Sequence, residues 1–93
     1  PIDVTTGEIV GGDIETQTRA AMEALAVTLR HGGSSLDAVI KATIFVTDPA
    51  LMAGVNAVYR TYFSDGFPAR TSAAIRPWPL PFDIEIECVA AIG

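Results

Sequence analysis

Arg70 and Glu85 are the side chains whose types and settings could do chemistry. Arg70 opens the run "RTSAAI", and Ser72, Ala74 and Arg76 follow it at alternate positions, so all four share one face of a strand. Glu85 and Glu87 alternate with Ile84, Ile86 and Cys88 and share one face of the next strand. An arginine at a strand end can hold a carboxylate through two parallel hydrogen bonds. A glutamate in partly apolar surroundings can have a raised pKa and move protons. The same pattern also fits a structural Arg–Glu ion pair between strands, and the alternation taken alone favours that reading slightly. On either reading the two strands are expected to pair or lie close.

Other chemistries have less support. His31 is the only histidine and falls at a helix end, where it suits the helix dipole better than a metal. Cys88 lies on the apolar face of its strand with no neighbouring histidine, and reads as a core thiol rather than a nucleophile. Gly11-Gly12 and Gly32-Gly33 read as a turn and a helix stop, not as a phosphate loop. Pro1 has a secondary amine of the kind that small tautomerases use as a base, but Asp3 to Gly7 turns too soon for the strand they need. No metal and no cofactor are expected.

The composition narrows the partners. The 93 residues suit one small domain spanning 1–93, with a core modest enough to gain from oligomerisation. Hydrophobic residues make up 49% and charged residues 18%, so some apolar surface is expected to be buried against other subunits. Lys and Arg number 6 against 11 Asp and Glu, for a net charge of −5, and the basic residues are scattered. Nucleic acid, which binds through clustered cations, is not an expected partner. One cysteine allows no internal disulfide, consistent with a reducing, cytoplasmic setting. No apolar run approaches the roughly 18 residues of a membrane span.

The elements that must position Arg70 and Glu85 can be read in order. Residues 1–13 form an extended lead-in, with a short strand at Glu8–Val10. Asp13 caps a helix to about His31, with Ile14, Thr18, Ala21, Leu25 and Leu29 on one face. Ser34-Ser35-Leu36-Asp37 suggests one helical turn. "VIKATIFVT" is a strand with Ile40, Ala42, Ile44 and Val46 on one face. Asp48-Pro49 starts a helix to about Phe63, lined by Leu51, Val55, Tyr59 and Tyr62 and stopped by Ser64-Asp65-Gly66. A strand over Arg70–Arg76, a "PWPLP" connection and a last strand over 83–92 follow. Helix, strand, helix, strand, strand fits an α+β fold with two helices on one face of a mixed sheet. A sheet of three strands is expected to need more, from preceding residues or neighbouring chains.

The ordered segments "PIDVTTGEIVGGDIETQTRAAMEAL", "SSLDAVIKATIFVTD", "VNAVYRTYF", "FPARTS" and "IEIECVA" resemble the reactive intermediate deaminases, the RidA or YjgF family. The resemblance spans nearly the whole chain. It implies a chorismate-mutase-like fold, a homotrimer with sites between subunits, and no metal or cofactor. It also implies hydrolysis of 2-imino and enamine acids, such as 2-iminobutyrate and 2-aminoacrylate, to 2-keto acids and ammonia. By the resemblance, Arg70 binds the substrate carboxylate and Glu85 positions or activates water. Ser72 contributes mainly through its backbone, and Asn56 lies near the cleft. The alternative is a non-catalytic trimeric module of the same fold that binds a small molecule or a protein. A ribonuclease reading, attached to some family names, sits poorly with the acidic charge. The family also carries a β-hairpin ahead of the segment matching Pro1, so the chain is expected to be truncated or processed, or to be completed by neighbouring chains.

Overall fold

The computed structural model describes residues 1–63 and 66–92; Ser64, Asp65 and Gly93 lie outside the described residues. The helix stop expected at Ser64-Asp65-Gly66 therefore falls largely outside it. Helix α1 spans Ile14–His31. Its start is set by Asp13, whose carboxylate accepts from the Thr16 N–H at 2.7 Å. Its end is closed by Gly32, whose N–H donates to the Thr28 and Leu29 carbonyls. The buried face runs through Thr18, Met22 and Ala26 with Gln17 beside it, while Ile14, Ala21, Leu25 and Leu29 are half-buried flanks. The expected stripe lay on the correct side but off centre, because α1 packs against a second helix as well as the sheet.

Strand β1 (Val39–Val46) is central. Strand β2 (Ala69–Ala74) runs parallel to it on one side, and β3 (Ile84–Ala90) antiparallel on the other, giving the order β2-β1-β3. This corrects the expectation that the Arg70 and Glu85 strands pair or lie close: β1 separates them. The parallel β1-to-β2 step needs a crossover, and helix α2 (Met52–Tyr59) supplies it. Ile40 is also corrected. The β1–β3 register shifts between Val39 and Lys41, which buries Val39 and leaves Ile40 59% exposed.

The helical span expected from Asp48 to Phe63 is divided into three. A 3₁₀ turn at Pro49–Leu51, where the Asp48 carboxylate accepts from the Ala50 N–H at 2.9 Å, leads into α2, and a second 3₁₀ turn at Arg60–Tyr62 tightens its end. The lead-in is a tight loop. Asp3 N–H donates to the Glu8 carbonyl at 2.8 Å, and Ile2 and Ile9 form an isolated bridge in place of the expected strand at Glu8–Val10.

The core lies between the helices and one sheet face. Met22, Ala42, Ile44, Val46, Val55, Tyr59 and Ile84 form it. Burying a side chain the size of Met22, Ile44 or Ile84 contributes about 1.5–3 kcal/mol each. Helices α1 and α2 approach closely at Gly54, where a Cβ would stand 2.5 Å from Ile14 Cγ2 and 2.9 Å from Glu15 Oε1. Tyr62 Oη donates to Glu23 Oε1 at 2.9 Å and ties the end of the second helical span to α1.

Candidate carboxylate-binding site

Arg70 is paired with Ala42 in the β1–β2 register, so its side chain shares the helix-covered face. It is half-buried. Its Cζ lies 4.8 Å from the centroid of the Tyr59 ring on α2. Nε donates to Ser72 Oγ at 2.7 Å and Nη2 donates to Met52 Sδ at 3.1 Å. These partners are all neutral. Among the described residues, no carboxylate sits on this guanidinium, and its remaining N–H groups are available to an anion.

A cavity of about 360 Å³ opens at this point, lined by Asn56, Tyr59, Arg60, Phe67, Pro68 and Arg70. Among the described residues, two side chains that line it carry a buried polar atom without a hydrogen-bond partner: Asn56 Oδ1 and the Tyr59 hydroxyl. Burial is the main cause that raises the Tyr59 phenol above its usual pKa; the Arg70 charge pulls it back and the Cys88 thiol adds slightly.

The fold brings together Arg70, Ser72 and Asn56. The Ser72 hydroxyl meets the clamp by accepting from Arg70 Nε. Glu85 is not among them. It pairs with Phe45, on the opposite sheet face, and is exposed. Cys88 pairs with Ala42 on the core side, half-buried, and burial raises its thiol pKa, as suits an unactivated cysteine.

Two contributors lay outside the sequence reading of the site. Tyr59 was expected only as a core residue, yet its place three residues after Asn56 on a helix puts both on one face, which was the available signal. Gln17 had no such signal. It is 1% exposed, with Oε1 accepting from the Asp83 N–H at 2.7 Å and Nε2 donating to the Gly12 carbonyl at 2.9 Å and to Asp83 Oδ2 at 3.2 Å. Thr47 Oγ1 donates to Asp83 Oδ1 at 2.9 Å. This network pins the start of β3, two residues before Glu85. Among the described residues, no group of three or more His, Cys, Asp or Glu side chains is placed to hold a metal ion, and no helix is long and apolar enough to cross a membrane.

An α+β sandwich with an arginine cavity at an edge strand is a fold with many known relatives. The family model described as Endoribonuclease L-PSP matches residues 1–92. A RutC family protein of Pyrococcus horikoshii is 43% identical over 90 residues, covering 97% of this chain and 71% of its own length. The mitochondrial protein mmf2 of Schizosaccharomyces pombe is 45% identical over 91 residues, covering 95% of this chain and 72% of its own. Among solved structures, YyfA of Yersinia pestis, described as a Rid family protein of unknown function, superposes with a TM-score of 0.91 at 35% identity, covering 99% of this chain and 74% of its own. The YjgF gene product of E. coli does so with a TM-score of 0.87 at 32% identity, covering 97% and 72%. The chain belongs to this family, the RidA/YjgF or L-PSP family.

Proposed function

We propose that this protein hydrolyses 2-imino and enamine acids to 2-keto acids and ammonia. The observation that carries the reading is the Arg70 guanidinium, held only by neutral partners and facing a cavity of about 360 Å³. Arg70 takes the substrate carboxylate and fixes the imine carbon in place. Asn56 lines the same cavity beside Arg70. Glu85 positions a water and accepts its proton as the oxygen adds to the C=N carbon. That proton passes to nitrogen to give a carbinolamine; the hydroxyl proton then moves to the nitrogen as the C–N bond breaks and the carbonyl forms, so imine and water give 2-keto acid and ammonia.

Because Glu85 stands on the far side of its own sheet, the working site draws Glu85 from a neighbouring copy, in a homotrimer with sites between subunits. A cytoplasmic setting, free of cofactor, belongs to the same proposal. The acidic net charge of −5 supports this reading over cleavage of RNA.

The test is a threonine dehydratase reaction to which the protein is added. Faster loss of the imine and earlier ammonia release are expected; rates equal to buffer would contradict the activity. One observation favours a second reading, carboxylate binding without turnover: a single chain offers the clamp but not Glu85. Binding of a 2-keto acid that depends on Arg70, with no imine hydrolysis, would select it.

A further inference from the structure

Resting on the clamp reading above, we propose that Tyr59 is a positioning residue. Its ring holds the Arg70 guanidinium and sets the direction from which a carboxylate is taken. The Arg70 Cζ lies 4.8 Å from the ring centroid, within the range where an aromatic face attracts a cation. The ring is itself held. Tyr59 is 3% exposed, belongs to the core cluster with Val55, Ala42 and Ile44, and carries the tilted Phe63 ring at a centroid distance of 4.9 Å.

Arg70 has no such enclosure. It stands on an edge strand with a long side chain that loses much rotamer freedom on being fixed. Its two hydrogen bonds meet the guanidinium at its edges. Ser72 Oγ takes the Nε–H, and Met52 Sδ, a weak acceptor, takes one Nη2 hydrogen. The Tyr59 ring adds a different contact, with the Arg70 Cζ over its face. With Nε committed to Ser72 and one Nη2 hydrogen to Met52, a carboxylate falls to the remaining Nη hydrogens, away from Ser72. The Tyr59 hydroxyl has no partner and is not required for this task.

The test keeps the shape of the ring and changes its charge. Tyr59→Phe is compared with phenylalanines carrying increasing numbers of ring fluorines at position 59, which drain the negative face. Binding of 2-oxobutanoate is measured by calorimetry, with the melting temperature of each variant alongside. Relative to Tyr59→Phe, full fluorination is expected to weaken binding about tenfold at an unchanged melting temperature. A second measurement needs no variant to fold: the Arg70 Nε–H proton of the parent protein is expected upfield, shifted by the ring current. Constant affinity along the fluorine series, or an unshifted Nε–H proton, overturns the role of Tyr59 while Arg70→Ala still weakens binding roughly a hundredfold. No 2-oxobutanoate binding by the parent protein overturns the clamp reading and this inference together.

Discussion

Arg70 and Glu85 occupy opposite faces of one sheet, with β1 between their strands. Arg70 is level with Ala42 and Glu85 with Phe45, three residues further along β1. That separation is about 10 Å along the strands and about 10 Å across them. An ion pair inside one chain, the reading that alternation alone favoured, is therefore ruled out. Any joint action of the two side chains on one ligand needs two copies of the chain.

The clamp itself is tested by binding. Each hydrogen bond to a charged group is worth about 1.5–3 kcal/mol. Losing a two-pronged grip is then expected to cost 2-oxobutanoate about 3 kcal/mol or more, roughly a hundredfold in Kd, in Arg70→Ala. Arg70→Lys keeps the charge but not the fork, and an intermediate loss of about tenfold is expected. Equal affinity in all three proteins, by calorimetry, would contradict the clamp.

Gly54 is expected to tolerate no side chain. Alanine is the better helix former by about 1 kcal/mol, yet its Cβ would meet Ile14 Cγ2 at 2.5 Å and Glu15 Oε1 at 2.9 Å. The Glu15 end can swing away, whereas Ile14 is packed against the core. Overpacking of this kind costs about 1–3 kcal/mol, so Gly54→Ala should lower the urea midpoint. A raised midpoint would show that the helices can part freely.

Gln17→Met preserves the length of the side chain and removes its hydrogen bonds. The Asp83 N–H loses its acceptor at 2.7 Å, and the Gly12 carbonyl its donor at 2.9 Å. A loss of about 1–3 kcal/mol is expected, measured by urea unfolding. Amide exchange at Asp83 should quicken with it, because Gln17 ties this end of β3 to α1. A neutral result would mean that water replaces the amide.

The two tyrosines make stability fall in alkali. Burial, then the hydrogen bond to Glu23, pushes Tyr62 up to about 12 from its usual 10, and burial raises Tyr59 as well. Below pH 10 both phenols are protonated in the folded and unfolded chains, so their contribution is fully present. As the pH rises above 10 the unfolded chain ionises first, and the contribution is lost on the way to pH 12. Absorbance at 295 nm should show less phenolate at pH 10 in the folded protein than in the unfolded chain. Tyr62→Phe should flatten the decline in stability across that window and leave a remainder from Tyr59.

The sequence was most informative where local rules decide the structure. Asp13 and Gly32 bounded α1, Asp48-Pro49 opened the second helical span, and Ile84, Ile86 and Cys88 alternated as a half-buried strand requires. It was least informative about pairing. Two strands in succession suggest a hairpin, but "PWPLP" gives no tight-turn signal, and β1 takes the place between them. The exposure of Ile40 comes from a register shift with β3, a non-local cause. Burial of Gln17 rests on an acceptor and a donor 66 residues away, at Asp83. Arg70 could be found because a lone cation at the mouth of a core strand breaks the pattern. Tyr59 was harder to find: an aromatic on an apolar helix face conforms to the pattern, and only its spacing from Asn56 marked it.

The division of the site between copies can be measured by mixing two inactive proteins. Arg70→Ala and Glu85→Gln are each expected to lose imine hydrolysis. Unfolded together in equal amounts and refolded, they form mixed assemblies in which about a quarter of the interfaces pair an intact Arg70 with an intact Glu85 from its neighbour. Ammonia release near a quarter of the parent rate is the expected result. Mixed assemblies no more active than either parent variant, with the unmutated protein active after the same refolding, would contradict a site built from Arg70 of one copy and Glu85 of the next.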